Sequence, residues 1–334
     1  MKLLDCVGNC KIIAITGLGK NVGKTTALNK ILEEARGKYK IGITSIGYDG
    51  EQTDRVTHGT KPRIYVEKGT YAATAKKCLG NSDVTKEIIA VPDISTAIGE
   101  IVIVKALSDG YVELAGPSIG SYMRDICREL IKAGSQFVIV DGALERRSLT
   151  IPEIADGVIV ATGGAVGSNI EEVVNKTKHF VEVLSTEVEK NDKMLELAKK
   201  LILKFKASAI SEALSYRGCD TKEAAIADIS EETACLAVSG MVSDKFIEDV
   251  INSKSSNPIN LIIEDGSKLF VKKETLEKFK RRGGSISAVK AIKIICVTCN
   301  PTSWQGYDLD NLSLLAALRK SLNIPVINVN MPNS

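Results

Sequence analysis

The sequence predicts an α/β protein, with a doubly wound, mostly parallel sheet carrying a glycine-rich phosphate-type loop (P-loop) and a second, smaller α/β domain. Three observations predict it. The apolar run Lys11-Ile12-Ile13-Ala14-Ile15-Thr16 stops at Gly17, the pattern of a buried parallel strand feeding a glycine turn. Good helix formers then run from residue 25 to about Gly37, so that strand, loop and helix follow in order. From residue 233 onward, short β-branched runs alternate with amphipathic ones, as in a parallel α/β unit.

The remaining elements follow from the same periodicities. Residues 41–46 and 63–66 read as the second and third strands, completing a βαβ opening. Residues 98–105 and 111–115 are apolar runs joined by Ser108-Asp109-Gly110, and the Asp-Gly pair predicts a tight antiparallel hairpin. Helical spacing over 119–133 leads into Phe137-Val138-Ile139-Val140, a strand that delivers Asp141 to its carboxyl end. Val158-Ile159-Val160 is a further strand, and Ile170, Val173, Val174, Thr177, Phe180, Val181 and Leu184 mark one face of a long helix. Residues 185–232 are more polar and show no strand pattern. The expected domains are therefore 1–184, a helical or linker region 185–232, and 233–334. In the last, strands are predicted at 235–238, 260–263, 292–298 and 326–329, with helices at 243–251, 273–282 and 309–322.

Bulk properties narrow the function classes. A chain of 334 residues with 44% hydrophobic and 25% charged residues can bury packed cores and favours two domains. The net charge is only +3, and the one dense basic run, 278–282, ends in Gly283-Gly284 like the solvated last turn of a helix. Nucleic acid is not an expected partner. No basic region followed by an apolar stretch opens the chain and no run of about 20 apolar residues occurs, so a cytoplasmic protein without a membrane partner is expected. Eight scattered cysteines fit reduced thiols. Cys296 and Cys299 with Cys6 and Cys10 have the ligand count of a four-thiolate site, but nothing in the sequence brings the termini together, and incidental thiols are the expectation. His58 and His179 are far apart and support neither a metal site nor a nucleophile triad.

The informative stretch is Thr16-Gly17-Leu18-Gly19-Lys20-Asn21-Val22-Gly23-Lys24-Thr25-Thr26. A glycine turn lets main-chain N–H groups converge on a polyphosphate at the positive end of the following helix. In this pattern Gly17, Gly19, Lys20, Asn21, Val22, Gly23, Lys24, Thr25 and Thr26 form the nucleotide cradle. Lys24 reaches the terminal phosphates and the Thr25 hydroxyl ligates Mg²⁺. The usual form has four residues between its glycines, whereas five separate Gly17 from Gly23. Asn175-Lys176-Thr177-Lys178 lacks the aspartate of a guanine-selecting element and falls in a predicted helix, which favours ATP.

The five-residue spacing before Gly-Lys-Thr resembles the phosphate loop of the dethiobiotin synthetase and MinD-like branch of P-loop NTPases. Val140-Asp141-Gly142-Ala143 is similar to that branch's acidic strand end, Asp49 stands where it places a second metal-binding aspartate, and Gly163-Gly164-Ala165-Val166-Gly167-Ser168-Asn169 looks like its late strand-to-helix loop. The resemblance covers roughly 11–184. It implies Mg²⁺ on Asp49 and Asp141 beside the Thr25 hydroxyl, and catalysis resting on Lys24 and Asp141; Glu51, two residues beyond Asp49, is placed either to orient water or as a solvated loop glutamate. The lysine that MinD-like proteins hold five places before the loop lysine is absent, that position being Gly19.

Thr44-Ser45-Ile46-Gly47-Tyr48-Asp49-Gly50-Glu51, Lys61-Pro62-Arg63-Ile64-Tyr65-Val66 and Asn300-Pro301-Thr302-Ser303 also resemble the P-loop subunit of the lysine 5,6-aminomutase reactivating system. That resemblance implies ATP-driven remodelling of an aminomutase client, with a homodimer or a partner ATPase. Two alternatives stay open: a small-molecule ligase or kinase like dethiobiotin synthetase, and a nucleotide sensor that never turns over.

Overall fold

The computed structural model describes residues 1–47, 63–142, 151–212, 234–253, 255, 257–303 and 306–330. The fold is α/β and the chain divides into two compact units, Met1–Val181 with Lys293–Ser334, and Glu182–Ile292. In chain order the elements are β1 (Ile12–Gly17), α1 (Lys24–Ala35), β2 (Ile41–Ser45), β3 (Ile64–Val66), β4 (Tyr71–Ala75), β5 (Lys86–Ala90), β6 (Ser95–Thr96), β7 (Gly99–Ala106) and β8 (Gly110–Val112). There follow α2 (Gly120–Lys132), β9 (Phe137–Asp141), α3 (Ile151–Ile154), β10 (Gly157–Gly163), α4 (Ile170–Leu184), α5 (Asp192–Glu212), β11 (Cys235–Val238), β12 (Val242–Ser243) and α6 (Asp244–Ile251). The chain ends with β13 (Asn260–Ile263), β14 (Leu269–Phe270), α7 (Lys273–Arg281), β15 (Ser285–Ala288), β16 (Ile294–Asn300), α8 (Asn311–Ser321) and β17 (Val326–Asn328).

The first unit is built on a ten-stranded sheet in the order β17-β16-β10-β1-β9-β2-β4-β7-β5, with β6 paired to β7. From β17 to β4 the neighbours run parallel; β7 is antiparallel to both β4 and β5. The central strands are apolar on both faces and are buried along almost their whole length, every residue of β10 included. Ile13 and Ile15 of β1, Ile43 of β2 and Ile139 of β9 pack with Leu28 and Ile31 of α1, all at 0% exposure. Burying each such side chain contributes roughly 1.5–3 kcal/mol. Helix α2 buries Met123, Ile126, Cys127 and Leu130, a stripe at three- and four-residue spacing.

The second unit holds a three-stranded parallel sheet, β11-β13-β15, whose core joins Leu261 and Ile263 to Phe246, Ile247 and Val250 of α6 and Leu276 and Phe279 of α7. The basic run is the end of α7: Lys278, Lys280 and Arg281 are exposed on its last turn, and Gly283 and Gly284 donate to the Lys280 and Phe279 carbonyls. Among the described residues no helix is long and apolar enough to cross a membrane.

Two expectations need correction. The segment 292–329, read as part of a domain spanning 233–334, supplies β16, α8 and β17 to the first unit, where β16 pairs in parallel with β10. Apolar side chains leave β10 wanting a neighbour on that edge, and β16 covers it. The second expectation was a hairpin between residues 98–105 and 111–115. Strand β7 has β4 on one side and β5 on the other, so no edge is left for β8, which pairs with β3 instead. Tyr65 and Tyr111 meet edge to face across that pair at 5.3 Å, and Asp109 is taken up by the Lys68 N–H. Residues 63–66 are therefore a strand outside the main sheet, and β4, which the sequence reading passed over, takes the place beside β2.

Candidate functional site

The parallel strands end together on one side of the main sheet, where ligands of such folds bind. β1 ends at Gly17, with β9 ending at Asp141 on one side of it and β10 at Gly163 on the other; beyond these lie Ser45 of β2 and Asn300 of β16. Asp141 is in register with Ile15 and with Ser45, and its carbonyl accepts from the Ile46 N–H. The 17–26 loop springs from the middle of this row.

The loop is anchored from below and open above. Val22 is 2% exposed, whereas Lys20 and Asn21 face solvent, and the Leu18 N–H donates to the Ala161 carbonyl. Gly23 adopts φ +94° immediately before α1, a conformation that L side chains rarely hold, and a β-carbon there would stand 3.0 Å from Asn300 Cβ. Lys24 is the first helical residue, followed by Thr25 and Thr26 in the same turn. The Lys24 ammonium folds back to donate to the Gly19 carbonyl at 2.9 Å.

Helix α1 begins against the usual rules. It has no side-chain cap and no acidic residue in its first turn, and it opens on a lysine, which the helix dipole disfavours there. Other starts vary: Ser243 caps α6, Asp310 caps α8 and the Asn169 side chain accepts from the Glu172 N–H at the start of α4, whereas α2 is also without a side-chain cap or a first-turn acid and α7 opens uncapped on Lys273. What sets α1 apart is the glycine loop before it, which ends at Gly23 with φ +94°, and the Lys24 ammonium folded back on that loop.

Around the loop stand hydrogen-bonding groups from segments far apart in sequence. The Gly164 N–H donates to the Asn300 carbonyl, and the Asn300 side-chain oxygen accepts from the Thr302 N–H at 3.1 Å and from Asn330 Nδ2 at 2.7 Å. The contact of Asn300 with Gly23 has no local signal in the sequence, because it depends on the pairing of β16 with β10. Asp49 and Glu51 lie outside the described residues, as do His58, Arg146 and Arg147.

The guanine-like residues 175–178 are helical, as expected, with Thr177 buried against the Thr162 hydroxyl and Lys176 paired to Glu172. The Lys176 ammonium, helped by the Ser168 N–H and hydroxyl, draws the Glu172 carboxyl down from 4.5 to about 2. A lowered folded pKa makes this cluster stabilising above about pH 4.5 and removes the benefit as pH falls toward 2. The melting-temperature gap between the wild type and Glu172→Gln should accordingly close over that window in a thermal series.

The cysteines are closer than the sequence allowed. Cys6 and Cys296 are hydrogen-bonded, which lowers the Cys6 thiol and raises that of Cys296, and Cys10 packs in the same core. Cys299, three residues along the strand from Cys296, is pushed up to about 12 by burial. Among the described residues no group of three or more His, Cys, Asp or Glu side chains could hold a metal ion. The sequence matches no family model and no curated protein.

Proposed function

We propose that the 17–26 loop binds the polyphosphate of ATP with Mg²⁺, and that the chain hydrolyses ATP to reactivate or remodel an aminomutase-type client enzyme. The observation that carries the nucleotide part is the glycine loop between β1 and α1, with Lys20 and Asn21 exposed and with Lys24 at the first helical position, its ammonium resting on a loop carbonyl. The convergent N–H groups and the Lys24 ammonium suit phosphate oxygens, and on binding the ammonium exchanges the Gly19 carbonyl for one of them.

The donor set suits Mg²⁺, since the Thr25 hydroxyl and the Asp141 carboxylate are hard oxygen ligands on the first turn of α1 and the end of β9. Bound there, Mg²⁺ would neutralise charge on the phosphate oxygens. Asp49 as a further ligand is carried by the family resemblance, and Glu51 as the group orienting water by its place two residues beyond Asp49. The residues of this chain hold the phosphates, fix their orientation and present the terminal one for attack; catalysis of this kind is positioning and electrostatics rather than covalent chemistry. The aminomutase client, and a second copy or a partner ATPase, rest on the resemblance of 44–51, 61–66 and 300–303.

The test is binding of MgATP and release of phosphate by the purified chain, alone, with an aminomutase preparation, and with a series of small acids and amines. Stimulation by the aminomutase supports the proposal. Stimulation by a small molecule instead identifies a ligase or kinase, tight binding with no turnover identifies a sensor, and absence of ATP binding removes all three.

A further inference from the structure

The described part of the first unit contains a second concave site, at the opposite end of α1 from the glycine loop. A pocket of about 730 Å³ opens between the carboxyl-terminal half of α1, the starts of β2 and β9, and the β3–β8 pair. Twelve helical residues separate the loop from this end, about 18 Å along the axis. The volume lies within the range of small-molecule sites rather than that of flat protein-binding surfaces.

Its lining has two parts. Leu32, Ala35 and Ile41 supply apolar wall, and beside them runs a ladder of rings and guanidiniums. The Arg36 guanidinium lies 5.8 Å from the Tyr65 ring centre, Tyr65 meets Tyr111 edge to face, and Arg63 sits 4.4 Å over the Tyr111 ring. Tyr39 adds a third ring and is 47% exposed. The charge is one-sided, with five cations in the lining against the carboxylates of Glu33 and Glu67. Both carboxylates are already engaged, Glu67 by Arg36 and Glu33 by Lys30. Among the described residues no carboxylate pairs with the ammonium of Lys38, Lys40 or Lys68.

Ring faces and guanidinium planes favour a flat aromatic group, and a cluster of ammonium groups with no carboxylate partner among the described residues favours an anion. We propose that this pocket is a second ligand site, for a small phosphorylated molecule carrying a planar ring, with the ring against Tyr65, Tyr111 and Tyr39 and the phosphate toward Lys38 and Lys40. Gln136 helps hold that rim, since its side-chain oxygen accepts from the Lys40 N–H at 2.8 Å while its own N–H donates to the Lys40 carbonyl at 2.7 Å.

The test uses the full chain carrying Lys24→Ala, which weakens the glycine loop for phosphate, with AMP, adenosine and pyrophosphate as probes in calorimetric titrations. One AMP should bind per chain, more tightly than either fragment probe and more weakly at high salt. Lys38→Glu with Lys40→Glu should weaken AMP by about tenfold or more. Tyr111→Ala should weaken AMP while leaving pyrophosphate unchanged. Absence of AMP binding into the millimolar range, or AMP binding indifferent to the lysine reversals, overturns the proposal. Pyrophosphate binding as tightly as AMP overturns the ring assignment. Because Lys38, Lys40 and Tyr111 line this pocket and no residue of the glycine loop does, the effects of these variants report the pocket whether or not the loop binds ATP.

Discussion

Lys24→Ala is expected to lower phosphate release from ATP by ~10²-fold or more, the scale on which removal of one preorganised charge-stabilising group acts. The ammonium stands on the first turn of a helix whose amino end has no cap, so its loss removes the cation and leaves the backbone cradle in place. Nucleotide binding should weaken as well, because Lys24 contacts phosphate in the ground state and in the transition state. The fold should be insensitive, since the Lys24 ammonium donates to the Gly19 carbonyl, within the loop itself. Steady-state phosphate release and a melting curve on the same preparation check both halves. Equal turnover by the two proteins would show that the glycine loop does not carry the reaction.

Gly163→Ala is expected to destabilise the first unit by about 3 kcal/mol, in the upper range for forcing an atom into a packed site. At φ +158° Gly163 ends β10 in register with Asn300, and a β-carbon on it would overlap the Asn300 carbonyl oxygen. The obstacle is backbone, which cannot swing away as a flexible side chain can. Relief requires β16 to separate from β10 at its carboxyl end, which also draws Asn300 off Gly23. A drop in nucleotide affinity should therefore accompany the loss of stability. Gly80→Ala is the matched control, because a β-carbon at Gly80 has nothing within 4 Å. Denaturant midpoints that coincide for the two variants would mean that β16 does not lie against β10 as described.

Much of the frame of the candidate site was legible in the sequence because it is local. The run 11–16 ending at Gly17, the helix formers after Lys24 and the apolar strand before Asp141 each encode one element and its end, and all three stand as β1, α1 and β9. Helix α4 and, from 235 onward, β11, α6, β13, α7, β16, α8 and β17 were likewise legible from their periodicity, whereas β12, β14 and β15 were not. Pairing was less so. The Asp-Gly signal at 109–110 pointed to a hairpin, but turn propensity is worth less than a filled edge, and β4 and β5 occupy both edges of β7. The short β5, with Lys86 and Glu87 ahead of Ile88 and Ile89, and the alanine-rich β4 carry weak strand signals, so the strands on that side of the sheet were under-read.

From its sequence alone, then, this chain determines an α/β fold and a glycine turn between a buried strand and a helix, since side-chain periodicity and backbone freedom act over a few neighbouring residues. Tertiary structure decides that 294–328 returns to the first sheet, that Asn300 rests on Gly23, and that two tyrosines and two arginines form one wall of a pocket at the far end of α1. Those arrangements depend on which strand edge remains open once the others are paired, a property of the assembled sheet that no single segment contains.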